Sequence, residues 1–299
     1  MLDVVIIGSG PAGITAAIYA KRANLNVAVV EKEYLGTGQI AESSRVDNYP
    51  GIPGIDGYSL GEKFREHAES LGVEFTEAQV LSLGQKDGIW IIGCDEDITL
   101  ESKAVIYATG CKNRPLGVPG EEKYYGRGLS FCAVCDGAFY KGKRVAVIGG
   151  GDTALDDAMY LSDICEKVYL VHRREFFRGS ASTLEKLKQK ENVEIIVNAR
   201  VEEITGDKKI DGIILDNKTK LNISGLFAAV GMIPQTELLK EFGVLDESNY
   251  VKALEDTKTT VNGLFAAGDV RTKQLRQVVT AAADGANAIY SVMEYLRNI

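Results

Sequence analysis

The chain opens with apolar β-branched residues that lead into a glycine-rich turn. Val4 to Ile7 are apolar, the segment from Ile14 to Arg22 has a helical pattern, and Val27 to Val30 form a second apolar run. Short β-branched runs favour strands, and longer periodic segments favour helices. The order predicts a strand, a turn, a helix and a parallel second strand, which is the βαβ unit of an α/β protein.

The same arrangement returns in the middle of the chain. An apolar run at Val145 to Ile148, a helical segment at Leu155 to Leu161 and another run at Val168 to Val171 follow one another there. In both copies the first strand ends in G-x-G-x-x-G/A, a loop that binds a dinucleotide pyrophosphate at a helix N-terminus. One such loop would be a weak indication, but two in matched context predict two Rossmann-like domains. The loops are Gly8, Ser9, Gly10, Pro11, Ala12 and Gly13 in the first copy and Gly149, Gly150, Gly151, Asp152, Thr153 and Ala154 in the second.

The two copies differ where their second strands end. Glu31 holds this place in the first copy, where a carboxylate accepts hydrogen bonds from an unphosphorylated ribose and repels a 2′-phosphate. His172 stands at the same offset in the second copy, and it is followed by Arg173, Arg174 and Arg178. Guanidinium groups bind phosphate esters through charge-assisted hydrogen bonds. The first site is therefore predicted to hold FAD and the second NADPH, which implies hydride transfer from nicotinamide to flavin.

Two later strand ends would complete the first site. Residues 104–110 and 264–269 each resemble a short strand that ends in a turn of small residues, and the first of them contributes Thr109 and Gly110. Asp269 is placed to accept hydrogen bonds from ribityl hydroxyls. A helix N-cap is the alternative for this aspartate, because both roles put a carboxylate at a helix start.

The order of these segments predicts an insertion of one domain into the other. The chain starts the FAD domain, leaves it near Asn113 to Gly117, builds the NADPH domain and returns near Lys240 to Val244. We therefore expect an FAD domain at residues 1–113 and 242–299 and an NADPH domain at residues 114–241. Two linkers between the same two domains would act as a hinge.

Cys132 and Cys135 are the cysteines whose spacing suggests chemistry. A C-x-x-C pair can close a small disulfide ring, and one thiolate of such a pair is activated by a lowered pKa. Zinc is the alternative, but it would need a second ligand pair, and the two histidines of the chain stand far apart; no metal site is expected. Asp136 could shuttle a proton during thiol–disulfide exchange or merely occupy a turn. The other cysteines are expected to be small buried hydrophobes: Cys94, Cys111 and Cys165.

Composition narrows the class of protein. The chain has 299 residues, a net charge of −8 and 45% hydrophobic residues, a balance typical of a globular α/β protein. Such an acidic chain is not a general binder of nucleic acid or of anionic membranes. No apolar run approaches the roughly 20 residues that span a bilayer, and no secretory signal pattern opens the sequence, so we expect a cytoplasmic protein.

Taken in order along the chain, these motifs resemble those of low-molecular-weight thioredoxin reductases. The matching stretches are Gly8 to Gly13, Cys132-Ala-Val-Cys-Asp136, Gly149 to Ala154, His172-Arg-Arg to Arg178, Ala266-Ala-Gly-Asp269 and Arg276-Gln-Val-Val279. They cover essentially the whole chain, and the combination of C-x-x-C with the arginine motif makes the resemblance specific. The resemblance implies that the protein partner is thioredoxin, whose disulfide the enzyme reduces. It also implies that the two domains alternate between two orientations and that the protein is a homodimer.

The resemblance also implies roles for single residues. Cys135 would face the flavin, Cys132 would attack the disulfide of the partner, and Asp136 would serve as acid and base. Besides the first glycine loop, the FAD site would comprise Glu31, Lys32, Thr37, Gly38, Gln39, Asn48, Val80, Thr109, Gly110, Asp269, Arg276, Gln277, Val278 and Val279. Besides the second loop, the NADPH site would comprise His172, Arg173, Arg174, Arg178, Val230 and Tyr250.

Other activities of related or different classes would need fewer of these features. A ferredoxin- or flavodoxin-linked NADP⁺ reductase of the same fold would not need Cys132 and Cys135, and a flavin-based thioredoxin reductase fed by ferredoxin would not need the arginines. A peroxiredoxin-reducing relative is expected to carry additional N-terminal domains, whereas the first fingerprint here begins at Val4. A non-catalytic flavin-binding module would need no redox cysteines. The presence of both sets of residues favours the thioredoxin reductase interpretation.

Overall fold

Two compact units make up the structure, a computed structural model that describes residues 1–33, 38–43 and 45–299. The first unit comprises Met1–Lys112 and Ile233–Ile299, and the second comprises Asn113–Met232. The second unit is therefore an insertion into the first.

The first unit opens with a βαβ unit and continues into an antiparallel hairpin. Strands β1 and β2 pair in parallel, as do β1 with β6 and β2 with β3, whereas β5 pairs antiparallel with both β4 and β6. All five residues of β2 are buried, as expected for a parallel strand covered on both faces. The elements before the insertion are β1 (Leu2–Ile7), α1 (Pro11–Arg22), β2 (Val27–Glu31), a 3-10 helix (Gly38–Glu42), α2 (Gly57–Ser70), β3 (Glu74–Glu77), β4 (Val80–Lys86), β5 (Ile89–Cys94) and β6 (Thr99–Tyr107).

The second unit contains a parallel sheet and a small antiparallel one. In the parallel sheet β9 pairs with β10 and β15, β10 with β11, and β15 with β8; strands β12, β13 and β14 form the antiparallel sheet. The elements, after β7 (Cys111–Asn113) at the crossing, are β8 (Leu129–Ser130), α3 (Ala133–Asp136), β9 (Arg144–Gly149), α4 (Asp152–Ser162), β10 (Lys167–Val171), α5 (Ala181–Lys188), β11 (Val193–Ile196), β12 (Val201–Thr205), β13 (Gly212–Leu215), β14 (Lys220–Asn222) and β15 (Gly225–Ala229), with 3-10 helices at Glu121–Tyr124 and Gly137–Tyr140.

The chain then returns to complete the first unit. Strand β16 (Met232–Pro234) pairs with β7 at the crossing, and a 3-10 helix (Glu237–Phe242) follows. Strand β17 (Leu264–Ala266) adds to the first sheet beside β6 in parallel. After a short 3-10 turn (Gly268–Val270), helix α6 (Val278–Leu296) packs on α1, with Ile289 of α6 and Ile14 of α1 in the same apolar core.

The two units repeat one strand order. The order β3-β2-β1-β6 in the first unit corresponds to β11-β10-β9-β15 in the second, and in each a helix follows the central strand directly after a glycine loop. This is the order of half a Rossmann fold. The predicted α/β fold, with one Rossmann-like domain inserted into another, is confirmed.

The second crossing between the units lies earlier than the sequence predicts. The first unit resumes at Ile233, whereas the motif order puts the return at residue 242. Residues 233–241 belong to the first unit because Leu239 is fully buried in the same apolar cluster as Trp90 and Leu264. The pattern did not reveal this, since a short 3-10 helix offers too few residues for a period to show.

Gly13→Ala should destabilise the first unit, because the added Cβ would lie 1.9 Å from the carbonyl oxygen of Gly8. We expect the free energy of unfolding to fall by about 1–3 kcal/mol, as for other overpacked sites, measured by urea denaturation. Gly84→Ala is the matched control, since among the described residues no atom lies within 4 Å of a Cβ at that position. Two variants of equal stability would contradict the prediction.

Candidate active site

Both glycine loops present a helix N-terminus at the end of a strand. Gly10 and Gly151 are the extended residues just before α1 and α4, and Pro11 and Asp152 are the first helical ones. The first N–H groups of a helix have no partner inside it, so they can bind an anion. A Cβ at Gly151 would meet no described atom within 4 Å, which leaves room for a phosphate. The loops therefore have the geometry expected of dinucleotide sites.

Glu31 ends β2 with a buried carboxylate. Its neighbour Val30 accepts a hydrogen bond from the Gly8 N–H (2.8 Å), which brings this strand end to the first glycine loop. Glu31 Oε1 accepts a hydrogen bond from Arg65 Nη1 at 2.5 Å, but the buried Oε2 has no donor among the described residues. A buried acceptor without a donor is costly. A ribose hydroxyl would satisfy it, so Glu31 fits the predicted FAD site.

Arg65 is a member of this site that the sequence analysis missed. It lies on α2, is 6% exposed, stacks on the Phe75 ring at 3.9 Å and forms a second ion pair, to Glu69, at 2.8 Å. In sequence, Arg65 and Glu69 resemble an ordinary exposed pair one helical turn apart. Only the packing of α2 reveals that the arginine is buried against Glu31.

Asp269 lies in the 3-10 turn after β17. Its Oδ1 is buried and has no hydrogen-bond donor among the described residues, and burial raises the pKa of the carboxyl group. The alternative of a cap for the following helix is wrong, because α6 is capped by Gln277 in a capping box with Thr280. A hydroxyl of the ribityl chain would supply the missing donor.

Several other predicted FAD residues adjoin this turn. Arg276 donates from Nε to the Asp269 carbonyl oxygen at 3.3 Å. Gln277 accepts a hydrogen bond from Asn48 Nδ2 at 2.8 Å, although the two residues are far apart in sequence. Val278 and Val279 then begin α6. The structure thus brings these predicted residues together.

The rest of the predicted FAD set lies at the edges of the first unit. Thr109 follows β6, and its Cα would lie 3.2 Å from a Cβ at Gly8; Gly110 is the next residue. Val80 begins β4 and packs on the apolar cluster that contains Trp90, and its contact with FAD stays a prediction. The predicted residues Lys32, which is exposed, and Gly38 and Gln39, which lie in the first 3-10 helix, are also described. Thr37 lies outside the described residues.

Tyr250 lies in a different unit from the one its predicted role suggests. The resemblance groups it with the NADPH residues, but it belongs to the first unit, where the Arg276 guanidinium lies 4.2 Å from its ring centre. Sequence alone could not show this, because Tyr250 is distant from both glycine loops. A contact of Tyr250 with NADPH stays a prediction.

In the second unit His172 lies directly over the glycine loop. A Cβ at Gly150 would approach the imidazole ring to 2.2 Å, and the ring also lies near Phe177, with centroids 4.9 Å apart. Burial lowers the pKa of His172, and its Nε2 is buried without a partner among the described residues. A neutral imidazole with an unused ring nitrogen suits a hydrogen bond to a bound nucleotide.

The arginine segment folds back onto the same loop. The N–H of Arg178 donates to the Gly150 carbonyl oxygen at 2.7 Å, and the N–H of Ser180 donates to Asp152 Oδ1 at 2.7 Å. Arg173, Arg174 and Arg178 are all exposed. These backbone contacts bring the segment that carries the arginines back to the loop, where the 2′-phosphate is predicted to bind.

The remaining predicted NADPH residues lie in the second loop or beside it. Thr153 is exposed and Ala154 is fully buried, so the helix presents one face to solvent and packs the other on the sheet. Val230 follows β15, whose last residue, Ala229, is paired with Gly149. Val230 therefore lies beside the loop that contains Thr153 and Ala154.

Cys132 and Cys135 form a disulfide within the second unit, with Cα atoms 5.3 Å apart. The intervening helix α3 is anchored by Ala133, which is fully buried in the same apolar cluster as Ala154 and Ala158 of α4. The Cys135 N–H donates to Cys132 Sγ at 3.1 Å. The disulfide and the second glycine loop thus share one hydrophobic core, and the predicted redox pair is confirmed.

Asp136 is tied to the disulfide through Ser130. The Ser130 hydroxyl donates to Asp136 Oδ2 at 2.6 Å and accepts a hydrogen bond from the Cys132 N–H at 3.1 Å. Burial raises the pKa of Asp136, and the Ser130 hydrogen bond opposes that rise. An aspartate of raised pKa beside a disulfide can hold and deliver a proton. The sequence alone does not reveal the role of Ser130, since a serine two residues before a cysteine carries no signal.

The other three cysteines are free thiols in buried positions, as predicted. Cys111 and Cys165 also donate to carbonyl oxygens, those of Asp269 at 2.9 Å and Tyr140 at 3.3 Å. Burial raises the pKa of Cys111 and of Cys165 to about 11. Neither thiol is therefore activated.

Comparisons with known proteins agree with this geometry. The chain is 38% identical to the thioredoxin reductase of Bacillus subtilis, over 99% of this chain and 95% of that protein. It is 39% identical to a 34.2 kDa protein of the rubredoxin operon of Clostridium pasteurianum, over 99% and 97% of the two chains. The crystal structure of thioredoxin reductase from Streptococcus pyogenes matches with a TM-score of 0.93 at 40% identity, over 100% of this chain and 99% of that one. Within the described residues, no helix is long and apolar enough to cross a membrane.

The family model for pyridine nucleotide-disulphide oxidoreductases matches residues 2–285. That span contains both glycine loops, the disulfide and the Asp269 turn. This chain belongs to the pyridine nucleotide-disulphide oxidoreductase family.

Proposed function

We propose that this chain is an NADPH-dependent flavoprotein that reduces the disulfide of a thioredoxin. The observation that carries the proposal is the Cys132–Cys135 disulfide, built on the same core as the second glycine loop and linked to Asp136 through Ser130. Thioredoxin as the substrate is supported by relatives of that name at 38–39% identity. A reductase that transfers electrons to ferredoxin would make no use of this disulfide.

FAD and NADPH are the cofactors of this enzyme. Bound FAD would accept two electrons from NADPH and make them available to the disulfide. Glu31 and Asp269 would each accept a hydrogen bond from FAD, at its ribose and its ribityl chain, because each has a buried oxygen without a donor in the described chain. His172 and the three exposed arginines would bind NADPH and its 2′-phosphate.

The protein residues then perform thiol–disulfide exchange. Once the Cys132–Cys135 bond is reduced, the thiolate of Cys132 attacks one sulfur of the partner disulfide, and the other partner sulfur leaves as a thiolate. Cys135 next attacks the mixed disulfide, which restores the internal bond and releases the partner with two thiols. The Cys135 N–H stabilises a thiolate on Cys132, and Asp136 supplies a proton to a leaving thiolate.

A protein substrate suits the surface beside the disulfide. Val134, between the two cysteines, is 56% exposed and Phe139 is 42% exposed. Exposed apolar side chains this near to the disulfide in the chain support a contact with a protein partner. We also propose a homodimer and a cytoplasmic location, both supported by the resemblance to bacterial thioredoxin reductases.

Rotation of the second unit is part of the proposal. The predicted FAD residues belong to the first unit, whereas the disulfide and, apart from Tyr250, the predicted NADPH residues belong to the second. The nicotinamide and the disulfide must each reach the flavin, and the disulfide must also reach a bulky partner. Movement about the two crossings near residues 113 and 232 would let these contacts alternate.

Cys135→Ser should retain FAD and its reduction by NADPH but lose disulfide reduction, because electrons leave the flavin only through the dithiol. Anaerobic bleaching of the flavin and thioredoxin turnover measure the two steps separately. Cys165→Ser, which removes a buried free thiol in the same unit, should turn over normally. Full thioredoxin turnover by Cys135→Ser would contradict the proposed function.

Neutralising Arg173, Arg174 and Arg178 together should raise KM strongly for NADPH and little for NADH. The loss of about two charge-assisted contacts predicts a penalty of about 3–6 kcal/mol at most, less because these side chains are exposed. Steady-state kinetics with both nucleotides test this, with Arg200→Gln as an exposed arginine control in the same unit. Equal penalties for the two nucleotides would show that the arginines do not bind the 2′-phosphate.

A covalent cross-link that locks the two units together should slow turnover much more than it weakens FAD binding, because alternation requires their movement. A photolabile linker supplies the control, since its cleavage by light should restore the rate. Unchanged turnover in a fully cross-linked sample would rule out rotation.

A further inference from the structure

A buried ionic network stands behind the turn that carries Asp269. Asp284, on α6, accepts a hydrogen bond from the Gly268 N–H at 2.9 Å. Arg271 binds the same carboxylate with two donors, Nε to Oδ2 at 2.8 Å and Nη2 to Oδ1 at 2.6 Å, and Lys273 Nζ lies 2.9 Å from Oδ2. The side chains of Arg271, Lys273 and Asp284 are 9%, 6% and 5% exposed. Neither the glycine loops nor the disulfide mechanism uses any of them.

The network fixes the turn on both sides. Arg271 Nη1 also donates to the carbonyl oxygens of Thr272 (2.9 Å) and Ala253 (3.2 Å), so the loop after the turn is tied to a distant segment. Gly268, with φ of 81°, lies so close to the start of α1 that a Cβ there would be 2.9 Å from the Ala12 Cβ. Asp269 is therefore held between the first glycine loop and the network.

The charges of the network do not cancel. Two cations share the single carboxylate of Asp284, which leaves one positive charge in a buried setting, where an unpaired charge is costly. The charged and titratable groups that face Asp269 are Lys273, Arg276, Asp284 and the thiol of Cys111. Burial raises the pKa of Asp269, Lys273 and Arg276 lower it, and Asp284 raises it. Lys273 Nζ binds the same Asp284 oxygen that accepts the Gly268 N–H, next to Asp269 in the turn. Lys273 is thus the member of the network that favours an ionised Asp269.

We propose that Asp284, Arg271 and Lys273 form a positioning network for FAD, in which Arg271 and Asp284 fix the Gly268–Val270 turn and Lys273 holds Asp269 as an acceptor for a cofactor hydroxyl. This inference rests on the proposed function, since FAD is the group that Asp269 would bind. The three residues are positioning residues, because they act through Asp269. A purely structural network would stabilise the fold without affecting how FAD release depends on pH.

The test follows release of FAD from holoprotein after dilution, by the rise in flavin fluorescence, from neutral to mildly acidic pH. Lys273→Met leaves the Arg271–Asp284 pair intact and neutral, so it should fold. We expect it to release FAD faster than wild type at neutral pH and to reach half release at a higher pH, since its Asp269 is protonated more readily and is then a weaker acceptor for the cofactor hydroxyl.

Asp284→Asn should lower the pH at which half of the FAD is released, because removal of a nearby negative charge makes Asp269 harder to protonate. Release should nevertheless be faster overall, because the turn is held less firmly. Glu294→Gln is the control: it removes one negative charge from the same helix, but at an exposed ion pair with Lys258, and it should behave like wild type. If Asp284→Asn does not fold, Lys273→Met decides the test.

Two results would overturn the inference. The first is that Lys273→Met releases FAD at the same rate and with the same pH dependence as Glu294→Gln. The second is that Lys273→Met and Asp284→Asn both shift the pH of half release in the same direction, as general damage to the fold would. A wild-type chain that binds no FAD would instead defeat the proposed function, and the inference with it.

Discussion

The close approach of strand and helix at each glycine loop is the constraint on which the rest of the structure depends. At Gly13 the backbone of α1 comes so near to Gly8 that a Cβ would lie 1.9 Å from a carbonyl oxygen. This contact aims the first N–H groups of the helix at the end of the central strand. The second unit repeats it with Ala154, whose Cβ would lie 2.7 Å from a Cβ at Gly149. Each nucleotide site is therefore a consequence of how one strand enters one helix.

The polar groups around these loops are arranged for ligands rather than for stability. Of the four buried side-chain atoms without a hydrogen-bond partner in the described part of the chain, three belong to Glu31, Asp269 and His172. Such atoms lower stability unless something satisfies them. The fourth, Trp90 Nε1, lies in the apolar core of the first unit. The coincidence of the other three with the predicted nucleotide sites supports the assignment of FAD and NADPH.

The disulfide is built on the core of the second unit, whereas the predicted FAD residues belong to the first. The electron acceptor and the FAD residues therefore belong to different units. Ala133 anchors the short helix between the cysteines to α4, so the redox pair is part of the unit that would bind NADPH. The half-buried Asp136 accepts a hydrogen bond from Ser130, an arrangement that suits proton transfer. A single inserted unit would thereby carry both the source of electrons and their first protein acceptor.

By itself, the sequence determined the features that depend on local rules. The repeat of strand, glycine loop and helix, the disulfide between Cys132 and Cys135, and the contrast of Glu31 with His172 follow from residue types at fixed spacings. Tertiary structure alone decided which distant groups meet: Arg65 with Glu31, Ser130 with Asp136, and Asp284 with the turn of Asp269. The burial of Leu239 in the core of the first unit also places the second crossing at residue 233, earlier than the sequence predicts. The physical reason is that spacing fixes backbone turns and helix faces, whereas burial and ion pairing arise only when separate segments pack together.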